Sequence, residues 1–275
     1  MNQFEPSVLD VEEAWPPLPL EQWRDTYATL HMWTQIVGKV RMALSPPVNH
    51  FWHVPLSVSS RGLTTGPIPC GPRVFEMAFD FIHHNLEVHV SDDRSKVIPL
   101  LPRTVAGFYR ELMAALQALG IAVRIRPVPD EVADPIPFAE DRTHASYDPQ
   151  SVGRLWRILL TVDTLLKAFR GRFSGKASAV NFYWGSFDLA VSFFSGRRAP
   201  PRDGADSIMR EAYSHEVASF GWWPGGGAAD GPAFYSYTVP APPGYERWPI
   251  RPASAFYSRD FAEFLLPYDA VRTAP

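Results

Sequence analysis

Proline limits this chain more than any other feature, because 28 of its 275 residues are proline. Each one fixes φ near about −65° and removes a backbone donor. The chain is therefore cut into short elements and rigid loops, and long uninterrupted strands are not expected. Against this stand 9 Trp, 10 Tyr and 18 Phe, large faces that need burial. With 46% hydrophobic and 20% charged residues, the chain has enough apolar surface for a sizeable core, in one large domain or two fused halves.

Periodicity places the helices. Leu20, Trp23, Tyr27, Leu30, Val37, Val40 and Leu44 recur at helical spacing and stop before Pro46. Thr104 can cap a second helix with Val105, Phe108, Leu112, Leu116 and Leu119 on its buried face and Gly120 as its stop. Asp148 followed by Pro149 starts a third, faced by Val152, Leu155, Leu159, Val162, Leu166 and Phe169 and closed by Gly171. Strands are expected from Phe51 to Ser59, Val74 to Ile82, Leu86 to Val90, Ile121 to Ile125, Ala179 to Phe194, Glu216 to Trp222, Phe234 to Val239 and Phe264 to Val271.

The expected class is α+β: two similar halves, each a long amphipathic helix on a mostly antiparallel sheet. Residues 1–19 form an extended arm, 20–126 the first half, 127–147 a proline-rich irregular connection, and 148–275 the second half, packed on the first as one globular unit. A faint echo between NHFWHVPLSV at Asn49 and NFYWGSFDLAV at Asn181 suggests duplication, with a ligand site in the cleft between halves.

Composition also removes function classes. The net charge of −3 arises from 26 basic and 29 acidic residues mixed along the chain, so no basic stripe for nucleic acid exists; Arg197, Arg198 and Arg202 sit in a Pro/Gly loop. A single cysteine, Cys70, excludes an intrachain disulfide and paired-cysteine zinc sites. No signal-peptide pattern opens the chain and no run of about eighteen apolar residues occurs, so a cytoplasmic, membrane-free protein is expected. HExxH, GxSxG, Walker and GxGxxG patterns are missing, so nucleotide and flavin cofactors lack a motif.

Several polar residues stand in apolar surroundings. His31, Gln35 and Lys39 share one edge of the first helix, where Gly38 marks a close approach by another element or a ligand; a plain solvated rim is the alternative. Strand alternation after Asn49 turns His50 and His53 to opposite faces and leaves His53 beside Ser57. A core histidine satisfied by a carbonyl is the rival explanation for it. In GSFDLAVSFFSG, Ser186, Asp188, Ala190 and Ser192 line a small polar face, opposite Phe187, Leu189, Val191 and Phe193. If closed from water, Asp188 needs a cationic or hydrogen-bonding partner or keeps its proton; an ordinary solvent-facing strand is the alternative. Asp80 in FEMAFDFIHH is a further apolar-flanked carboxylate, and His215 and Glu216 precede a strand that ends in Trp222 and Trp223.

The segments WPPLPLEQWRDTYATLHMWTQIVGKVRMALSPPVNHFWHVPLSVSSRGLTT, FDFIHH, FYRELMAAL, HASYDP, WGSFDLAV, FSGRRAPP, EAYSHEVASFGWWPGG and FLLPYDAVR run in order over nearly the whole chain. Together they resemble the bacterial family catalogued as domain of unknown function 5996. The resemblance implies no mechanism. It does imply a further helix after PYDAVRTAP, which this sequence lacks, and hence altered packing around Phe264 to Val271.

The leading expectation is an enzyme acting on a small polar molecule between the halves, with His31, Lys39, His53, Asp188, His215 and Glu216 as the chemical groups and Gln35 as a ligand contact. In one version a divalent metal is held by His53, Asp188 and His215; in the other, the histidines exchange protons with substrate and Lys39 holds an anionic group. The rival classes are a noncatalytic binder whose Trp52, Trp184, Trp222 and Trp223 clasp a planar ligand, and a protein-interaction module with exposed aromatics.

Overall fold

A computed structural model describes residues 14–274 apart from 202–203, 205 and 227–230. Most of the N-terminal arm and Arg202 thus lie outside the described residues. The first helix, α1, spans Leu20–Leu44. It stops where Pro46 forces Ser45 into extended geometry, φ −80 and ψ 139. Helix α2, Val105–Ala118, is capped by Thr104 Oγ1, which accepts from Gly107 N at 3.1 Å; Gly120, at φ +70, ends the turn beyond it. Helix α3, Pro149–Arg170, opens with the Asp148 carboxylate accepting from the amides of Gln150 and Ser151.

The first sheet holds β1 (Ser57–Ser59), β2 (Gly62–Thr64), β3 (Ile68–Cys70), β4 (Arg73–Asp80), β5 (Asn85–Val90) and β6 (Ser95–Pro99). Its order is β1-β2-β4-β5-β6, with β3 also paired to β4. The second holds β7 (Asn181–Tyr183), β8 (Asp188–Arg198), β9 (His215–Trp223), β10 (Ala233–Val239), β11 (Phe256–Ser258) and β12 (Glu263–Pro267), in the order β11-β12-β10-β9-β8-β7. Every pairing is antiparallel. Two short helices, α4 (Ser207–Ala212) and α5 (Tyr268–Arg272), and two 3-10 turns, Asn49–Phe51 and Tyr245–Arg247, lie outside the sheets. The chain is α+β with a long helix and an antiparallel sheet in each half, as expected, and each sheet has six strands.

The halves are joined, not tethered. Leu56 and Phe182 exchange two backbone hydrogen bonds of 2.9 Å, so the two aromatic segments that echo each other in sequence meet here, one as a turn and the other as a strand. The connection over 127–147 is irregular, yet Phe138, Asp141 and Tyr147 are buried, and Trp33 of α1 stacks between Phe108 and Tyr147. One continuous apolar cluster therefore runs through both halves. None of the described helices is long and apolar enough to cross a membrane.

Four expected strands need correction. Residues 49–56 form a 3-10 turn and bends instead of a strand, with His50 and Phe51 both at φ +58, and only Ser57–Ser59 is strand. Pro55 cannot donate to a ladder, and Arg41 of α1 instead donates to the Pro55 carbonyl. The alternation that separated His50 from His53 does not apply to a turn. Ile121 to Ile125 alternates between more and less buried positions but finds no partner strand among the described residues. The run from Ala179 to Phe194 is broken by a turn at residues 184–187, where Phe187 takes φ +59. The last strand ends at Pro267 and becomes α5.

Candidate functional site at the cleft along the first helix

Leu20, Arg24, Tyr27, Ala28, His31 and Met32 fall on one stripe of α1, because residues three, four and seven apart share a helix face. Val132 and His144 of the connection and Gly226 of the loop after β9 face that stripe across a cleft of about 190 Å³. At the volume water occupies in the liquid, this is room for roughly six waters. The walls are chiefly apolar, and the polar groups are few and specific.

His31 is one of them. Its Nε2 lies 3.0 Å from the Trp184 carbonyl and 2.8 Å from the Gly185 carbonyl. Two carbonyl acceptors, both closer than the Gln35 amide nitrogen at 3.1 Å, place the proton on Nε2, which leaves Nδ1 as an acceptor. Burial pushes the His31 pKa down to about 4, with the two carbonyls pulling partly the other way. The ring is therefore neutral at neutral pH. Tyr27 stacks beside it. Burial raises the Tyr27 phenol to about 12, against a hydrogen bond from Trp223 and with help from the Asp188 charge.

Across the cleft, His144 belongs to a D-x-x-H turn. Asp141 Oδ1 accepts from the amides of Thr143 (3.0 Å) and His144 (3.1 Å), and Oδ2 meets His144 Nδ1 at 2.7 Å. The carboxylate is 1% exposed and the imidazole 29%. The chain contains its own control. Asp80 builds the same turn, with its Oδ1 on the amides of Ile82 and His83 and its Oδ2 3.0 Å from His83 Nδ1. There Arg61 also donates to Oδ2 at 3.0 and 2.6 Å and approaches His83 Nδ1 at 2.6 Å. Burial pushes the Asp80 carboxyl up, but the His83 amide, Arg61 and the Ile82 amide outweigh it and hold it at about 2. The Asp80 turn is a closed ion pair. In the Asp141 turn no arginine intervenes, and among the described residues His144 Nε2 has no partner.

The remainder of the α1 edge is structural. Gln35 is fully buried and clamps the backbone of Asp130, donating to its carbonyl at 2.8 Å and accepting from its amide at 2.8 Å. Lys39, 1% exposed, pairs with the Asp130 carboxylate and lies 5.6 Å from the Trp184 ring centre. Gly38 is the close approach that the sequence signals: a Cβ there would fall 2.3 Å from the Trp184 indole. Removing one member of a buried pair strands the other. Asp130→Ala, which leaves the enclosed Lys39 ammonium without a counter-ion, is expected to cost about 2 kcal/mol in urea denaturation. Lys39→Met should cost less than about 1 kcal/mol, because Asp130 keeps Arg126 at 3.1 Å and its contact with water.

Asp188 lies deeper, 6% exposed, on the face of the second sheet opposite α3. Cross-strand partners share a face, so Asp188, Ala190 and Ser192 line up with Tyr183 of β7, Gly221 and Ser219 of β9 and Tyr235 and Tyr237 of β10. The polar face drawn from alternation exists from Asp188 onward, whereas Ser186 and Phe187 sit in the turn before β8. Ser186 donates to Asp188 at 2.5 Å, and Tyr235, folded over the bare backbone of Gly221, donates to its other oxygen. Burial raises the Asp188 carboxyl to about 6 in spite of both hydroxyls.

The other expected groups stand apart. His53 Nδ1 accepts from the Val48 amide at 3.1 Å within its own turn. His215 instead meets His50, with ring centres 5.6 Å apart. His50 is held by the Glu211 and Ala212 carbonyls, and Lys176 donates to its Nε2 at 2.7 Å. Glu216 pairs with Arg197 and Ser195 where the end of β8 meets the start of β9. Trp184 and Trp222 are core and Trp52 lies under the Lys176 ammonium, whereas Trp223, packed on Phe261, is the exception that reaches the cleft through its hydrogen bond to Tyr27. Among the described residues no three His, Cys, Asp or Glu side chains are grouped closely enough to hold a metal ion. Sequence reasoning missed Arg24, Tyr27, Asp141 and His144. The recurrence of D-x-x-H at Asp80 and Asp141 was the available signal for the last two.

No curated protein and no solved structure matches this chain. Residues 15–275, nearly the whole chain, match the family of unknown function designated DUF5996, and the protein belongs to that family.

Proposed function

We propose that the protein is a cytoplasmic enzyme that moves a proton on a small polar molecule bound in the cleft between α1, the connection and the loop after β9. The observation that carries this reading is the Asp141–His144 pair on the cleft wall. A buried carboxylate on Nδ1 fixes the tautomer and orientation of the ring, so Nε2 presents a lone pair as general base. A binding protein has no need of that arrangement. His31 Nδ1 accepts a hydrogen bond from substrate, and the Tyr27 phenol, protonated at neutral pH, is available as a donor.

The test is a thermal-shift screen of small polar metabolites, followed by mass spectrometry of each binder in deuterated water. A ligand at about 100 times its Kd should raise stability by about 2.7 kcal/mol and the melting temperature by several degrees. The protein should then catalyse deuterium incorporation into that ligand. His144→Gln should slow the exchange about a hundredfold or more, with the melting temperature of the free protein falling by only a few degrees because Asp141 keeps its two amide hydrogen bonds. Exchange that survives His144→Gln, or binders that never exchange, would sink the proposal.

A further inference from the structure

Resting on that reading, the geometry points to a substrate class: a small carboxylate with a hydroxyl or amino group next to it, its carboxylate held by Arg24 and its donor group by His31 and His144. The cleft walls formed by Leu20, Ala28, Met32 and Val132 offer no partner to a charge. Arg24 is the one full positive charge among the described residues that line the cleft. It forms no ion pair with any described residue. A guanidinium matches a carboxylate in two parallel hydrogen bonds, a geometry that few other anions share. Asp141, the carboxylate behind His144, is already spent on two amides and His144 within its own turn, so it does not compete for Arg24.

The second half of the assignment comes from the nitrogens. His31 Nε2 is committed to two backbone carbonyls and His144 Nδ1 to Asp141, so each of these two cleft-lining rings is left with its other nitrogen as an acceptor. An acceptor pair is satisfied by ligand O–H or N–H groups, not by a second carboxylate or an ether. The apolar walls then fit a short hydrocarbon body.

The experiment uses the intact protein carrying 13C at the histidine ring carbons and three probes: 2-hydroxyisocaproate, its amide, and isocaproate without the hydroxyl. The hydroxy acid should shift the His31 and His144 resonances at millimolar concentration. Loss of its charge in the amide, or of its hydroxyl in isocaproate, should weaken binding roughly tenfold or more. Arg24→Gln, at an exposed position that the fold does not depend on, should weaken the hydroxy acid by a similar factor and leave the amide unchanged. If the amide binds as well as the acid, or if Arg24→Gln changes nothing, the carboxylate assignment falls while the cleft reading stands. If isocaproate matches the hydroxy acid, the donor assignment falls. Silence of both histidines toward all three probes overturns this substrate class outright, and the deuterium-exchange screen then decides the cleft reading separately.

Discussion

Gly38→Val is expected to destabilise the protein by about 4 kcal/mol, the largest loss foreseen for a single substitution on α1. In an exposed helix interior a glycine is less favourable than alanine by about 1 kcal/mol, so most replacements there would stabilise. Here the added Cβ would lie 2.3 Å from Trp184 Nε1 and 2.4 Å from Cδ1, distances no packing tolerates. The indole cannot swing away freely. It is 6% exposed, and its Nε1 donates to the Val54 carbonyl at 3.0 Å. Overpacking costs about 1–3 kcal/mol and an orphaned buried carbonyl a similar amount. Because the carbonyls of Trp184 and Gly185 hold the His31 ring, the same substitution should also loosen the cleft wall. Urea denaturation checks the stability, and a double-mutant cycle checks the cause. In a Trp184→Ala background, Gly38→Val should lose most of this cost. A Gly38→Val protein as stable as the parent would mean that helix and indole do not touch.

What could be read in the sequence divides along physical lines. The three long helices were legible, ends included, because their limits are local: Pro46 beyond α1, the Thr104 hydroxyl before α2, and the Asp148 cap with Pro149 before α3. The segment at 49–56 misled because its aromatic, β-branched composition resembles a strand. His50 and Phe51 are both left-handed, and His50 is held by distant partners: the Glu211 side chain, the Ala212 carbonyl and Lys176. Ile121 to Ile125 shows the same limit, since alternation reports exposure but not whether a neighbouring strand exists. At the site, His31 and Asp188 were legible as polar residues in apolar stretches. Their supposed partners were not, because the sequence offers no measure of distance between a turn at 48–53 and a strand beginning at 188. The Asp141–His144 pair escaped because the connection has no periodicity against which an unusual residue stands out.

Asp188 and His31 should also leave opposite marks on the pH dependence of stability. The Asp188 carboxyl is raised from 3.8 to about 6 by burial, so between these values the native protein keeps a proton that the unfolded chain has released. Stability from this group is full below pH 3.8 and is lost as pH rises through about 6. His31 is lowered from 6.5 to about 4, again by burial, so in that window the unfolded chain binds a proton that the native ring refuses. Its contribution is present above pH 6.5 and is lost as pH falls through about 4. Each shift of two units or so corresponds to about 3 kcal/mol, and over the shared window the two slopes largely cancel. Asp188→Asn removes one of them. The variant should match the parent near pH 4 and exceed it by about 2 kcal/mol at pH 7, the amide recovering most but not all of the hydrogen bonds from Ser186 and Tyr235. It should also relieve Glu263, whose carboxyl is raised to about 7 by burial and by the Asp188 charge. His31→Asn should do the reverse and flatten the loss on the acid side. Urea denaturation at intervals from pH 4 to 7.5 reads both, as the difference between variant and parent at each pH. A constant difference for Asp188→Asn across that range would mean that the carboxyl ionises as it does in water and that the tyrosine-lined face is open to solvent.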